Sequence, residues 1–213
     1  MESELDIFIS YSSKNWDFVW VLCKELREKN LQIWIDWENI STSAEWMQKV
    51  IDGIVAAHTF IFVISPDSVM SEHCCWELDQ AKNYNRRLIP ICYEQDFKSE
   101  YLELLGLSRL NYCRFTPVQD NGTLDLEALG ILLDLLHTNL DDSRQYNQLF
   151  TKAYEWDTKH RPKAKLMLLP EYKVYDYWLQ TRQANNRYLQ LENLHPLQQD
   201  YLDASYRAIL PSR

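Results

Sequence analysis

Between residues 5 and 140, short apolar runs alternate with longer stretches in which apolar residues return at helical spacing. Residues 5–10 form such a run, a polar loop follows, and residues 16–26 carry apolar side chains every three or four positions. The same succession is repeated from residue 31 and again from Thr59. The pattern therefore predicts strands that alternate with helices.

The predicted strands are residues 5–10, 31–35, 59–64, 88–92 and 109–115, and the predicted helices are residues 16–26, 46–54, 71–84, 101–106 and 124–140. Strands connected through helices run parallel, because a hairpin cannot join parallel strands, and the crossovers cover both faces of the sheet. We therefore expect an α/β domain over residues 1–140. Its architecture is a five-stranded parallel doubly wound sheet of the flavodoxin-like kind.

The pattern changes after residue 140. Residues 141–149 are polar, and the rest of the chain is helix-like and rich in tyrosine and tryptophan. A basic stretch over residues 159–165 separates two predicted helices, and Pro196 suits the start of a last helix because the first turn needs no amide donor there. We expect residues 141–213 to form a C-terminal α-helical extension that packs against the first domain or against a partner.

Composition and charge narrow the class of function. The 213 residues are 46% hydrophobic and 25% charged, which is typical of a soluble globular chain. The longest strongly apolar stretch, residues 54–64, is shorter than the ~20 residues that cross a bilayer, and no signal pattern precedes it, so we expect a cytoplasmic protein without a membrane partner. A net charge of −9 argues against a nucleic-acid partner. The five cysteines contain no C-x-x-C pair and are expected to be reduced thiols.

Two kinds of ligand site are not expected. The four glycines are not clustered, which excludes a Walker A loop and the glycine-rich dinucleotide fingerprint. His73, Cys74 and Cys75 are adjacent in a predicted helix, where neighbouring side chains point ~100° apart and do not converge on one ion. We therefore expect neither a metal site nor a resident cofactor.

Polar loops follow three predicted strands at their carboxyl ends, which is where open parallel sheets bind ligands. The loops cover residues 10–15, 36–45 and 65–77. Their hydroxyls, carboxylates and aromatic rings suit a nucleoside, which offers ribose hydroxyls and a flat base. The candidate substrate-binding residues are Ser10, Tyr11, Ser12, Ser13, Asp36, Trp37, Trp46, His73 and Trp76.

Five blocks of sequence, in order, resemble a Toll/interleukin-1 receptor (TIR) domain of the bacterial type. They are Asp6-Ile-Phe-Ile-Ser-Tyr-Ser12, Trp34-Ile-Asp-Trp-Glu-Asn-Ile40, Phe60-Ile-Phe-Val-Ile-Ser-Pro66, Ser71-Glu-His-Cys-Cys-Trp-Glu-Leu78 and Arg87-Leu-Ile-Pro-Ile91. The resemblance covers about residues 4–140 and implies the same five-stranded fold. It also implies cleavage of NAD+, as a substrate rather than a cofactor, at the bond between nicotinamide and ribose.

By that resemblance Glu77 falls on the catalytic glutamate of the family. Nicotinamide in NAD+ is already a cationic pyridinium and leaves without a general acid, so the task of the carboxylate is to stabilise the positive charge that grows on the ribose. Taken alone, a glutamate in a predicted helix is more often a solvated surface residue. His73 stands where several family enzymes have a tryptophan.

The leading hypothesis is therefore an NAD+ glycohydrolase or cyclase of a bacterial immune or signalling system. The resemblance implies that it is active when self-associated, with the loop at residues 36–45 as the candidate contact between copies. The alternative is a non-catalytic TIR adaptor that acts only by assembling TIR domains. The helical extension resembles the region that follows the TIR domain in some multidomain bacterial proteins. Its predicted role is oligomerisation or coupling to a sensor domain or protein, and a shielding cap is the alternative.

Overall fold

The computed structural model describes residues 5–35, 43–93, 97–116, 123–138, 140–184 and 193–210. Contacts within the chain divide it into two compact units, residues 1–138 and residues 139–213. The first unit contains the sheet, and the second consists of helices and their connections. Whether this division separates two functions, as the sequence suggests, stays a prediction.

The first unit is built on a five-stranded parallel sheet with the strand order β2-β1-β3-β4-β5. The strands are β1 (Ile7–Ser10), β2 (Ile33–Ile35), β3 (Thr59–Ile64), β4 (Arg87–Tyr93) and β5 (Cys113–Phe115). From β1 the chain first moves outward to β2 and then returns to form β3 on the other side of β1. The order of the strands therefore reverses between β1 and β3, and the predicted doubly wound fold is confirmed.

Six helices surround this sheet among the described residues. They are α1 (Trp16–Glu28), α2 (Ala44–Ala56), α3 (Pro66–Val69), α4 (Glu72–Asn83), α5 (Ser99–Leu104) and α6 (Leu126–His137). The sequence pattern does not predict α3, because a helix of four residues is too short to show a helical period. The strand predicted from residue 109 begins only at Cys113, since the amide of Leu110 donates to the carbonyl of Leu107 in a turn.

Two apolar layers enclose the sheet. Successive residues of β1 point to opposite faces, so Ile7 and Ile9 pack with the side chains of α1 and α6, whereas Phe8 packs on the side of α2 and α4. The ring of Phe8 stacks on that of Phe60, with 5.2 Å between the centroids. All six residues of β3 are buried. Burial on both faces explains why β3 is a continuous apolar run in the sequence.

Arg87 connects the sheet to the end of α6. This buried residue at the start of β4 donates from Nη1 to the carbonyl of Leu136 at 3.1 Å and from Nη2 to the carbonyl of Leu135. Carbonyls in the last turn of a helix have no amide donor within the helix, and a cation stabilises that end. Burial lowers the pKa of Arg87 to about 10, so the guanidinium stays charged at neutral pH.

The second unit contains α7 (Leu140–Thr158), α8 (Leu169–Ala184) and α9 (Pro196–Ile209). The last helix begins at Pro196, as predicted, and the side chain of His195 caps it by accepting from the amide of Leu197. Tyr146 and Leu149 pack with Tyr201 in a core of its own. Within the described parts of the chain, no helix is both long and apolar enough to span a bilayer.

We expect Arg87→Met to lower the free energy of unfolding by about 1–3 kcal/mol, because it leaves the carbonyl of Leu136 without its donor, whereas the carbonyl of Leu135 still accepts from the amide of Thr138. Urea unfolding followed by circular dichroism measures this. The matched control is Arg109→Met at an exposed position, for which we expect a change within about 0.5 kcal/mol. Equal stability of the two variants would contradict the role assigned to Arg87.

Candidate active site

Glu77 lies on the side of α4 that faces the sheet. The buried residues of α4 are Cys74, Glu77, Leu78 and Ala81, which is the spacing of a core-facing stripe. The helix begins after Ser71, whose side chain accepts from the amide of Cys74 at 3.3 Å. The side chain of Glu77 is only 2% exposed. It is therefore not the solvated surface residue that a helical glutamate more often is.

Two polar side chains hold the carboxylate of Glu77. The hydroxyl of Ser10, at the carboxyl end of β1, donates to Oε2 at 2.5 Å. One turn earlier on α4, His73 places Nε2 at 3.3 Å from Oε1, and the side chain of His73 is 29% exposed. A buried carboxylate costs free energy unless it accepts hydrogen bonds, and the hydrogen bond from Ser10 offsets part of that cost. The contact with His73 is an ion pair when the imidazole is protonated. The predicted residues Ser10 and His73 thus meet at Glu77.

A group of aromatic rings packs around His73, which contacts the carboxylate. The rings of Trp46, in the first turn of α2, and His73 have centroids 4.7 Å apart. Trp76 completes the group, at 6.3 Å from Trp46 and 6.1 Å from His73. Both tryptophans are half-buried and pack on the apolar layer beneath them. Each indole therefore packs partly on the core and is partly exposed to solvent.

The position of Trp46 follows from how α2 packs on the sheet. A Cβ atom added at Gly53 would lie 3.3 Å from the ring of Trp34, so α2 approaches β2 closely at this glycine. At its other end, α2 begins after Ser43, whose side chain accepts from the amide of Trp46 at 3.2 Å. The close approach and the cap together fix Trp46 beside α4.

Other predicted site residues lie elsewhere. Tyr11 is 6% exposed and packs in the apolar layer on the opposite face of the sheet, where its ring lies 6.3 Å from that of Trp16. Ser12 accepts from the amide of Lys14 at 3.5 Å and begins a short 3-10 turn, and Ser13 within that turn is exposed. The structure thus does not bring Tyr11 to Glu77. The predicted residues Asp36 and Trp37 lie outside the described residues.

A second polar cluster, which the sequence reasoning did not single out, joins the carboxyl ends of β1 and β3. Ser65 donates from Oγ to Oδ1 of the buried Asn15 at 2.7 Å. Ser65 also forms a capping box with Ser68 at the start of α3. Nearby, the ammonium of Lys14 pairs with Asp67 at 2.5 Å. These contacts fix the loop after β1, and so the position of Ser10, against the end of β3.

The cysteine beside Glu77 is not a reactive group. Burial is the main cause that raises the pKa of Cys74 to about 12, with the nearby carboxylate of Glu77 adding to it. The thiol is therefore protonated at neutral pH and a poor nucleophile. Among the described residues, no group of three or more His, Cys, Asp or Glu side chains is placed to hold a metal ion.

We expect Ser10→Ala to lower the free energy of unfolding by about 1–3 kcal/mol, because a buried carboxylate oxygen loses its donor. Ser13→Ala removes the same hydroxyl at an exposed position and is the matched control, with an expected change within about 0.5 kcal/mol. Urea unfolding of both variants measures the difference. If the two substitutions cost the same, the hydrogen bond to Glu77 does not stabilise the fold.

The first unit matches a known protein family. Residues 7–129, more than half of the chain, match the family described as TIR domain. One similar solved structure is the TIR domain of the Toll-related receptor TRR-2 from Hydra magnipapillata, at 19% identity and a TM-score of 0.43, covering 52% of this chain and 83% of that chain. Another holds the TIR domains of the activated Roq1 resistosome, which directly recognises the pathogen effector XopQ. It is 17% identical, with a TM-score of 0.46, and covers 61% of this chain and 98% of that chain. No curated protein matches the chain.

Proposed function

This chain belongs to the TIR domain family, and from that premise we propose that it cleaves NAD+ at the bond between nicotinamide and ribose, with Glu77 as the catalytic residue. One observation carries the proposal. A buried carboxylate lies at the carboxyl end of β1, next to the point where the strand order reverses, and partly exposed rings pack on the neighbouring His73. Open parallel sheets bind their ligands at this point.

The chemistry needs one well-placed negative charge. When the bond from the ribose carbon to the pyridinium nitrogen breaks, its electron pair stays on that nitrogen and nicotinamide leaves as a neutral molecule. The ribose is left with the positive charge of an oxocarbenium ion, which a nearby carboxylate stabilises. The hydrogen bond from Ser10 holds the carboxylate of Glu77 in place before the reaction, and His73 lies 3.3 Å from its other oxygen. No free energy is then needed to orient the charge in the transition state.

The aromatic rings supply the flat surface that the substrate needs. Trp46 and Trp76 are half-buried, and their open parts lie on the same side of the sheet as Glu77. Such rings stack on nicotinamide or adenine with little loss of side-chain freedom, because the core already fixes them. After nicotinamide leaves, water or a group of the adenosine moiety traps the ribosyl cation. The product is accordingly ADP-ribose or a cyclic isomer.

A second function is favoured by the burial of Glu77. At 2% exposure and in contact with Ser10, Glu77 also fits a purely structural role inside a TIR adaptor. Such an adaptor assembles with other TIR domains, and its sheet end need not admit a ligand. We propose that self-association accompanies both functions, so assembly alone does not separate them. Release of nicotinamide does.

We expect Glu77→Gln and Glu77→Ala to reduce nicotinamide release by about 10²-fold or more, because removal of one preorganised electrostatic group has that effect. Glu72→Gln changes an exposed carboxylate on the same helix and is the matched control. Nicotinamide is measured by chromatography at protein concentrations where light scattering shows assembly. Glu77→Gln keeps the size of the side chain and an acceptor for Ser10, so its fold is retained.

Two outcomes would contradict a catalytic role for Glu77. If assembled wild-type protein releases no nicotinamide, or if folded Glu77→Gln releases it at the wild-type rate, Glu77 is not catalytic. The first outcome supports the adaptor. The second assigns the cleavage to another residue.

A further inference from the structure

The second unit contains a groove that plays no part in the function proposed above. It has a volume of about 390 Å³ and is lined by Gln145 of α7 and by Lys173, Val174, Tyr177, Trp178 and Thr181 of α8. Pockets that hold small molecules measure roughly 300–1,000 Å³, so the groove is large enough for one. The five residues from α8 lie along one side of that helix, because they are spaced by one, three or four positions.

Contacts between α7 and α8 fix the level of each residue along the groove. Lys152 pairs with Glu171 at 2.8 Å, and Asp142 accepts from the indole of Trp178 at 2.9 Å. The two helices therefore run antiparallel, and Gln145 lies almost level with Trp178. At 1.5 Å per residue, Lys173 lies about 7–8 Å from Trp178 along α8.

The floor of the groove is a fixed aromatic ring. Trp178 is 7% exposed, and its indole orientation is set by the hydrogen bond to Asp142. Arg182 lies over the ring at 5.2 Å from its centroid and also contacts Asp142 at 3.1 Å. In contrast, Tyr177 is 70% exposed beside this ring. The stacking face for a flat ligand is therefore the exposed ring of Tyr177, because Trp178 is nearly buried and Arg182 covers its ring.

A hydrogen-bond acceptor and a cation lie at different levels along the groove. Oε1 of Gln145 is buried and accepts no hydrogen bond from the described residues, so a ligand N–H would satisfy it. Lys173 is exposed. The described ion pairs between α7 and α8 join Lys152 to Glu171 and Arg182 to Asp142, so the ammonium of Lys173 is available to an anion.

We propose that this groove binds a nucleotide whose base carries an exocyclic amine, with adenosine monophosphate (AMP) as the representative. The base stacks on the exposed ring of Tyr177, above the groove floor at Trp178, and its amine donates to Oε1 of Gln145. The ribose spans the 7–8 Å to Lys173, which pairs with the phosphate. This site is separate from Glu77, and the proposal holds whether or not the chain cleaves NAD+.

Calorimetric titration of the full chain with three ligands tests each contact. AMP is compared with adenosine, which lacks the phosphate, and with purine riboside monophosphate, which lacks only the amine. We expect AMP to bind about 3–10-fold more tightly than either, which corresponds to one hydrogen bond or one exposed ion pair. Lys173→Gln should abolish the preference over adenosine, and Gln145→Met the preference over purine riboside monophosphate.

Control variants distinguish binding in the groove from binding elsewhere on the chain and from unfolding. Lys163→Gln, at an exposed position outside the groove, should keep both preferences. Glu77→Gln should keep both preferences as well, because the groove is separate from Glu77. Loss of the preferences in Glu77→Gln would show that AMP binds at the sheet. Lys173 and Tyr177 are exposed, so Lys173→Gln and Tyr177→Ser should unfold at the wild-type temperature, and Tyr177→Ser should weaken all three ligands alike.

Absence of AMP binding at millimolar concentration, or binding that neither Lys173→Gln nor Gln145→Met changes, would overturn the proposal. The exposed apolar face of α8 would then be a protein-docking surface.

Discussion

The hydrogen bond from Ser10 to Glu77 is the interaction on which the candidate site depends. It joins the end of the central strand β1 to α4 at 2.5 Å, inside the apolar layer formed by Phe8, Phe60 and the facing helices. A carboxylate in that layer would be strongly destabilising without a donor. The rest of the sheet end serves to keep this donor in place. Ser65 and Asn15 fix the loop after β1, and the cap at Ser71 sets the start of α4.

A buried acidic group at this point has a cost that an apolar residue would not have. Leucine at position 77 would continue the stripe that Cys74, Leu78 and Ala81 already form. Residues that break a local folding rule while the surrounding structure supports them are typical of functional sites. The partly exposed rings of Trp46 and Trp76 point to the same conclusion, because they leave aromatic surface open around His73, which contacts the carboxylate of Glu77.

The fold can be predicted from the sequence because the sheet is buried on both faces. Residues 59–64 were predicted as a strand and form β3, since such a strand has to be a continuous apolar run. The start of β5 was predicted too early, because the turn at Leu110 depends on a hydrogen bond that apolar periodicity does not show. The sequence predicts Tyr11 in the site, but the alternation that continues beyond the end of β1 turns it to the face opposite Ser10. The contact between Ser65 and Asn15 joins residues that are distant in the chain, which a single sequence does not reveal.

The central claim is that the carboxylate of Glu77 faces the sugar of NAD+. The most direct test is a crystal structure of the assembled protein with a non-cleavable NAD+ analogue. The account predicts that the ribose next to nicotinamide lies within hydrogen-bond distance of Glu77, with one base against Trp46 or Trp76. An analogue bound at the sheet with its ribose away from Glu77, while Ser10 still donates to that carboxylate, would contradict it.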